Sequence, residues 1–126
     1  MLKIIPKEWQ EQVAIVEWLS MHPLLKTLFC KNNNEGKKTP QQGHFAKRLG
    51  LRPGVSDLFI YYPTKTYPGL WLEVKRNKKY TKSERESETW LAQINFQNIV
   101  KSVGYHAEFC YGFDHGREII EAYLGS

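Results

Sequence analysis

Two acidic residues and a lysine near the middle of the chain have the residue types and spacing of a metal-dependent hydrolytic site. Alternation along the run LWLEVK (70–75) places Glu73 and Lys75 on one face of a strand, about 6–7 Å apart. Asp57 opens the preceding β-rich run after a Pro-Gly turn, where its carboxylate can reach the same cleft. Carboxylate oxygens are hard ligands that suit Mg²⁺ or Mn²⁺. The pattern therefore indicates a divalent-cation site beside an ammonium group.

Such a site is suited to the hydrolysis of phosphodiesters. A cation held there polarises the phosphate and lowers the pKa of an attacking water. Lys75 can hold that water or offset the negative charge that develops at phosphorus. The alternative interpretation is a salt bridge between Glu73 and Lys75 on an edge strand, and the position of Asp57 favours the site. The Asp-x15-Glu-x-Lys pattern by itself is weak, because such triplets arise by chance in many proteins.

The segments around these residues predict a mixed α/β domain with the element order α-β-α-β-β-α-β-α. The polar stretch between residues 31 and 43 is expected to be a loop. A long third helix can begin at a capping box of Thr81 with Glu84 or of Ser83 with Glu86. Helices are expected over 8–20, 43–50, 83–103 and 115–124, and strands over 24–30, 57–63, 70–75 and 105–112.

Apolar residues at helical spacing give the expected buried faces. In the first helix the stripe consists of Trp9, Val13 and Val16, with Ile15 or Leu19. The corresponding positions in the third helix are Trp90, Leu91, Ile94, Ile99 and Val103, with Phe96 and Val100 close by.

The length of 126 residues predicts one domain, covering 1–126. No apolar run approaches the roughly 20 residues that span a bilayer, and the N-terminal apolar stretch is too short for a signal peptide. We therefore expect a cytoplasmic protein with no membrane partner. Cys30 and Cys110 lie in apolar runs, and buried reduced thiols are favoured over a disulfide. The four histidines are too scattered for a zinc site.

The net charge of +5 is unevenly distributed along the chain. Residues 31–85 hold 13 of the 18 lysines and arginines but only four acids, so this segment carries +9. A basic middle suggests a surface that faces a polyanion, although a solvated basic face is the alternative. The candidate phosphate-binding residues flank the triplet in sequence: Lys47, Arg48, Arg52, Arg76, Lys78, Lys79 and Lys82.

Other polar and aromatic residues near the triplet could also contact nucleic acid. Tyr80, Trp71 and Tyr61 are candidates for stacking on a base, but packing roles are favoured for each. The asparagines at 32–34 could contact a backbone, but turns are the better interpretation.

Several spaced motifs resemble the VRR-NUC family of the PD-(D/E)XK nuclease superfamily. Its pattern of an Asp at a strand start and Glu-x-Lys on the next strand is matched in PGVSDLFI and GLWLEVKR. The resemblance extends to NEGKK, to RLGLRPGVSDL and to the end of the long helix, from Gln93 to Gly104-Tyr105. It covers nearly the whole chain. The arginine of the family's name is not identified, so it is given no role.

The resemblance implies further site residues. Glu8, in a pattern similar to E-x-x-x-Q with Gln12, matches a metal-site glutamate of the first helix; Glu11 is a near alternative, and both could be exposed helix acids. Gln93 matches a glutamine that joins the active site, or is a surface residue. Gly54 matches the turn glycine before the metal-binding Asp. The backbone carbonyl of Val74 is a possible additional metal ligand.

These considerations predict a restriction-endonuclease-like fold, with a mixed central sheet and helices on both faces. The expected function is Mg²⁺-dependent DNA endonuclease activity, with Mn²⁺ able to substitute and no organic cofactor. The resemblance to stand-alone phage or bacterial members implies a homodimer that acts on branched DNA such as four-way junctions, in the host cytoplasm if the protein is phage-encoded. The alternatives are a non-catalytic nucleic-acid-binding module and an RNA nuclease.

Overall fold

The protein is built around a four-stranded mixed sheet. The computed structural model describes residues 4–32 and 38–126. Within them the helices are α1 (Glu8–Met21), α2 (Pro40–Arg48), α3 (Lys82–Arg85), α4 (Glu88–Ser102) and α5 (Phe113–Leu124). The strands are β1 (Phe29–Lys31), β2 (Leu58–Ile60), β3 (Leu70–Lys75) and β4 (His106–Tyr111). No helix in this part of the chain is long and apolar enough to cross a membrane.

The strand order is β1-β2-β3-β4, so β3 is a central strand. β1 pairs antiparallel with β2 and β2 pairs antiparallel with β3, whereas β3 and β4 are parallel. Parallel neighbours need a crossover connection, and α3 and α4 supply it. The expected mixed sheet, with β2 and β3 as neighbours, is confirmed. The edge-strand setting that a simple salt bridge between Glu73 and Lys75 required is absent.

Helices pack on both faces of the sheet, as expected. α1 and α5 cover the face formed by Leu70, Leu72 and Val74, with which they form the main hydrophobic core. α4 packs on the opposite face, where Phe96 contacts Trp71 and Trp90 stacks on Phe109 of β4. The alternation predicted for β3 is confirmed, since Glu73 and Lys75 lie on the α4 side.

The buried stripe of α1 differs from the expected one. Ile15 and Leu19 are fully buried, whereas Trp9 and Val13 are exposed and Val16 is half-buried. The stripe is continued one turn earlier by the buried carboxylate of Glu11, which accepts a hydrogen bond from the backbone N–H of Phe113. Glu11 thus satisfies a free donor in the first turn of α5, and this polar contact fixes which face of α1 is turned inward.

The ends of several elements also differ from expectation. The expected strand over 24–30 is wrong for most of its length, because turns follow Pro23 and bury Leu25, leaving only Phe29–Lys31 to pair with β2. α2 begins at Pro40, where Thr39 and Gln42 form a capping box, and not at 43. The strand expected over 57–63 is reduced to Leu58–Ile60, and the last helix begins at Phe113.

The expected long helix over 83–103 is two helices. Thr81 and Glu84 cap the four-residue α3, and Ser87 caps α4 by accepting from the N–H of Trp90. Leu91 and Ile99 of α4, and Val103 at its C-cap, are exposed and so do not belong to its buried face. Both cysteines are free thiols; Cys110 is buried as expected, but Cys30 is exposed on the edge strand.

The cap formed by Glu11 leads to a stability prediction. We expect Glu11→Ala to lower the free energy of unfolding by about 1–3 kcal/mol, because it leaves a buried N–H without a partner. Glu17→Ala, at an exposed position of the same helix, is the matched control and should change stability by less than about 0.5 kcal/mol. Urea denaturation of both variants measures the difference. Equal stabilities would show that the cap contributes nothing.

Candidate active site

The site begins where β2 and β3 separate. The register between the two strands runs from Leu58–Leu72 to Ile60–Leu70 and does not continue to Asp57. At that point the Asp57 carboxylate accepts a hydrogen bond from the backbone N–H of Val74, at 2.8 Å. The backbone carbonyl of Asp57 accepts from Asn32 on the other side. Asp57 is therefore held from both sides at the end of β2.

Three carboxylates converge at this end of the sheet. Glu8 from the first turn of α1, Asp57 and Glu73 each offer an oxygen, and the three oxygens lie within 4.8 Å of one another. Glu8 is exposed, Asp57 is half-buried and Glu73 is 2% exposed. Of the two glutamates left open in the first helix, Glu8 joins the cluster and Glu11 caps α5.

The crowding of these acids disfavours their charged forms. The pKa of Glu73 is raised from 4.5 to about 10, first by burial and then by a hydrogen bond to Asp57 and by the Asp57 charge. Desolvation also raises the pKa of Glu8, with Asp57 adding to the rise and Lys75 opposing it. Without a cation, the cluster therefore holds at least one proton at neutral pH.

This arrangement fits a divalent cation. Oxygen atoms of three acids within one small volume are the ligand set of a hard ion, and a double positive charge offsets the repulsion that raises the two pKa values. Glu8, Asp57 and Glu73 are the residues that would hold it.

Lys75 is held beside the cluster by neutral partners. Its ammonium donates to Oε1 of Gln93 at 2.7 Å and lies 4.3 Å from the ring centroid of Trp90. The residue is only 7% exposed. Because an amide and an aromatic face replace a carboxylate partner, the positive charge stays available to a group entering the cleft. The expected position of Gln93 near the site is thus observed, whereas the contact with Trp90 was missed, since Trp90 fits equally well as a core residue in the sequence.

Gly54 allows the chain to pack tightly before Asp57. Its φ is +79°, and a Cβ there would lie 2.2 Å from the carbonyl oxygen of Ala92 in α4. The turn predicted at Gly54 is present. It presses against the same stretch of α4 that carries Gln93, so Asp57 and the partner of Lys75 are fixed relative to each other.

The cluster lies in a cleft of about 700 Å³ between α1, α4 and the segment before β2. Asp57 and Glu73 line it from the sheet and Glu8, Trp9 and Gln12 from α1. The remaining lining residues are Asn32, Lys47, Leu51, Arg52, Pro53, Gly54, Val55, Glu88, Thr89, Ala92 and Gln93. This volume is typical of small-ligand sites.

The structure divides the candidate phosphate-binding residues into three groups. Lys47 and Arg52 line the cleft, and Arg48 and Lys79 are exposed outside it. The others have protein partners: Arg76 donates to the carbonyls of Ile5 and Pro6, Lys78 pairs with Glu84, and Lys82 lies 3.9 Å from Glu86.

The aromatic candidates have packing roles, as favoured from the sequence. Trp71 stacks on Phe59 and meets Phe96 edge-on. Tyr80 contacts Trp90, and its hydroxyl donates to the carbonyl of Arg76. Tyr61 donates to the carbonyl of Thr27. Asn33, Asn34 and most of the NEGKK motif lie outside the described residues.

The raised pKa of Glu73 predicts a pH-dependent stability. In the folded, metal-free protein Glu73 keeps a proton that the unfolded chain releases, so its contribution to stability is complete below about pH 4.5 and is lost as the pH rises towards about 10. In EDTA we expect the free energy of unfolding to fall steadily as the pH rises across this window.

Glu73→Gln should flatten this slope and remove the gain in free energy of unfolding that we expect Mn²⁺ to give the wild type. Glu86→Gln, at an exposed position, is the matched control and should leave both unchanged. Urea titrations at several pH values, with EDTA or Mn²⁺, measure the two effects. An unchanged slope in Glu73→Gln would mean that Glu73 is already ionised in the folded protein.

Comparison with known proteins identifies the type of fold. No family model matches the sequence, and no curated protein matches it. A solved structure described as a "VRR_NUC domain protein" is similar to the chain with a TM-score of 0.74 and 21% sequence identity, over 97% of this chain and 91% of that chain. The match supports the resemblance found in the motifs around Asp57, Glu73 and Lys75. The chain therefore has the fold of a VRR_NUC domain protein, a mixed α/β fold of the restriction-endonuclease-like kind.

Proposed function

We propose that this protein is a metal-dependent nuclease of the VRR-NUC family that hydrolyses the phosphodiester backbone of DNA. The observation that carries the proposal is the convergence of Glu8, Asp57 and Glu73 within 4.8 Å in a cleft, beside a buried lysine held by neutral partners. The similarity of the fold to a VRR_NUC domain protein supports the same class of reaction.

Glu8, Asp57 and Glu73 hold Mg²⁺ in this proposal, with the backbone carbonyl of Val74 as an additional ligand and with Mn²⁺ able to substitute. When bound, such a cation activates a water and neutralises charge on the phosphate. Burial of Glu73 makes its unpaired charge costly, so the acidic cluster favours a cation strongly over solvent.

Lys75 acts on the attacking water or on the phosphate oxygens. Gln93 accepts one hydrogen bond from the ammonium of Lys75 and so fixes the direction of the side chain. A positive charge that is already oriented stabilises the developing negative charge without reorganisation during the reaction.

Lys47 and Arg52 line the cleft and contact the phosphates on either side of the scissile bond. They carry the salt dependence of binding. A homodimer would place two such sites on one symmetric substrate, which suits cleavage of two strands in branched DNA such as a four-way junction.

The first prediction for this function concerns the metal. We expect cleavage of DNA in Mg²⁺ or Mn²⁺ and none in EDTA, measured on labelled single-stranded, duplex, flapped and four-way substrates and on the matching RNA. Equal cleavage in EDTA would refute the metal role, and cleavage of RNA alone would replace DNA as the substrate. Binding without cleavage by both the wild type and Lys75→Ala would indicate a non-catalytic binding module.

Variants of the cluster separate catalysis from binding. Asp57→Asn should abolish turnover while duplex affinity is kept or improves, because a negative charge leaves the cleft. Lys75→Ala should lower kcat by about 10²–10³-fold. Single-turnover cleavage and fluorescence anisotropy measure the two properties. Unchanged turnover in Asp57→Asn would remove that residue from the mechanism.

Glu8 and Glu11 of α1 provide a matched pair. Glu8→Gln should lower Mg²⁺-dependent turnover about tenfold or more, because it removes a metal ligand without disturbing the core. Glu11→Gln keeps an acceptor for Phe113 and should retain turnover. Steady-state cleavage over a range of Mg²⁺ concentrations tests the pair, and equal activities would exclude Glu8 as a ligand.

A further inference from the structure

Trp9 is an exposed tryptophan next to the acidic cluster. It follows Glu8 in the first turn of α1 and is 61% exposed, whereas Trp71 packs between aromatic rings and Trp90 lies buried beneath Lys75. Within residues 4–32 and 38–126 its ring has no aromatic neighbour and its Nε1 no hydrogen-bond partner. A large apolar surface next to an acidic cluster therefore faces the cleft with no role in packing.

The surroundings of Trp9 match the chemistry of a nucleotide. The cleft is acidic at the sheet, where a cation and a phosphate would meet, and it is lined by Leu51 and Pro53 from the segment before β2. Lys47 and Arg52 add positive charge to the same wall. A nucleotide likewise combines a flat apolar base with a phosphate, and a volume of about 700 Å³ can take one that has left its helix.

We infer that Trp9 stacks on the base of an unpaired nucleotide adjacent to the scissile phosphate, so that the cleft selects nucleic acid with a nucleotide displaced from the base stack. The inference rests on the proposed nuclease function. Both faces of a base inside a continuous duplex are covered by its neighbours, so an indole can stack on it only after the base is displaced. An exposed aromatic ring needs no particular base, since every base has a flat face.

The experiment measures stacking directly. Oligonucleotides that carry one 2-aminopurine, as a single strand and as a matched duplex, are titrated with the Asp57→Asn protein, with or without a second substitution at Trp9. We expect Trp9→Leu to lose the change in 2-aminopurine fluorescence and about tenfold to hundredfold of its single-strand affinity. Trp9→Phe, which keeps an aromatic face, should retain most of both, and duplex affinity should stay unchanged.

Met21→Ala is the matched control, because Met21 is also a large exposed apolar residue, at the other end of the same helix. It should behave as the parent protein does. Equal fluorescence and affinity for Trp9→Leu and its parent would overturn the inference. A change in molar mass by light scattering in Trp9→Leu, without a change in nucleotide affinity, would also overturn it, because Trp9 would then cover a protein interface.

Cleavage by the otherwise wild-type protein separates this inference from the nuclease function. If the wild type cleaves and Trp9→Leu keeps the same ratio of single-strand to duplex cleavage, the stacking role is wrong and the nuclease function stands. If nothing is cleaved but the 2-aminopurine signal depends on Trp9, the stacking role stands and the nuclease function is wrong.

Discussion

The hydrogen bond from the Val74 N–H to the Asp57 carboxylate is the contact on which the rest of the site depends. It lies where the pairing of β2 with β3 stops, and it replaces a backbone acceptor by a side chain. A buried backbone donor must have a partner, so this geometry satisfies the sheet and places an acid at its end in one contact. Glu73 on the neighbouring strand then lies beside that acid at no further conformational cost.

The surrounding structure keeps opposite charges close without letting them neutralise each other. Burial raises the pKa of Glu73, and the nearest partners of Lys75 are the amide of Gln93 and the ring of Trp90. A direct ion pair between Glu73 and Lys75 would have been the simplest way to bury both charges. Its replacement by neutral contacts leaves an acidic cluster suited to a cation and an ammonium suited to an anion, the two parts that the proposed nuclease function requires.

The sequence predicted those parts of the site that depend on strand alternation and turn chemistry. The period of two in LWLEVK oriented Glu73 and Lys75 correctly, and the Pro-Gly turn located Asp57. Contacts between distant segments could not be predicted from the sequence. The hydrogen bonds of Arg76 to the carbonyls of Pro6 and Ile5, which are 70 and 71 residues away, are an example.

Local signals also competed where the predictions were wrong. Of the two expected capping boxes the structure uses Thr81, which begins α3, whereas Ser87, which was not predicted as a cap, begins α4. The buried face of α1 was predicted wrongly because hydrophobicity alone favours burial of Trp9. In the structure Glu11 is turned inward by its hydrogen bond with Phe113, and Trp9 is therefore exposed.

The hydrogen bond of Glu11 also links the first helix, α1, to the last helix, α5. Glu8 and Glu11 are one turn apart on a rigid helix, so the start of α5 sets the axial position of an acid in the cleft. Metal ligands work only within about half an ångström of their ideal positions. In the proposed nuclease, repacking of the C-terminal helix would therefore alter turnover by shifting α1 along its axis, and not through any atom that touches the substrate.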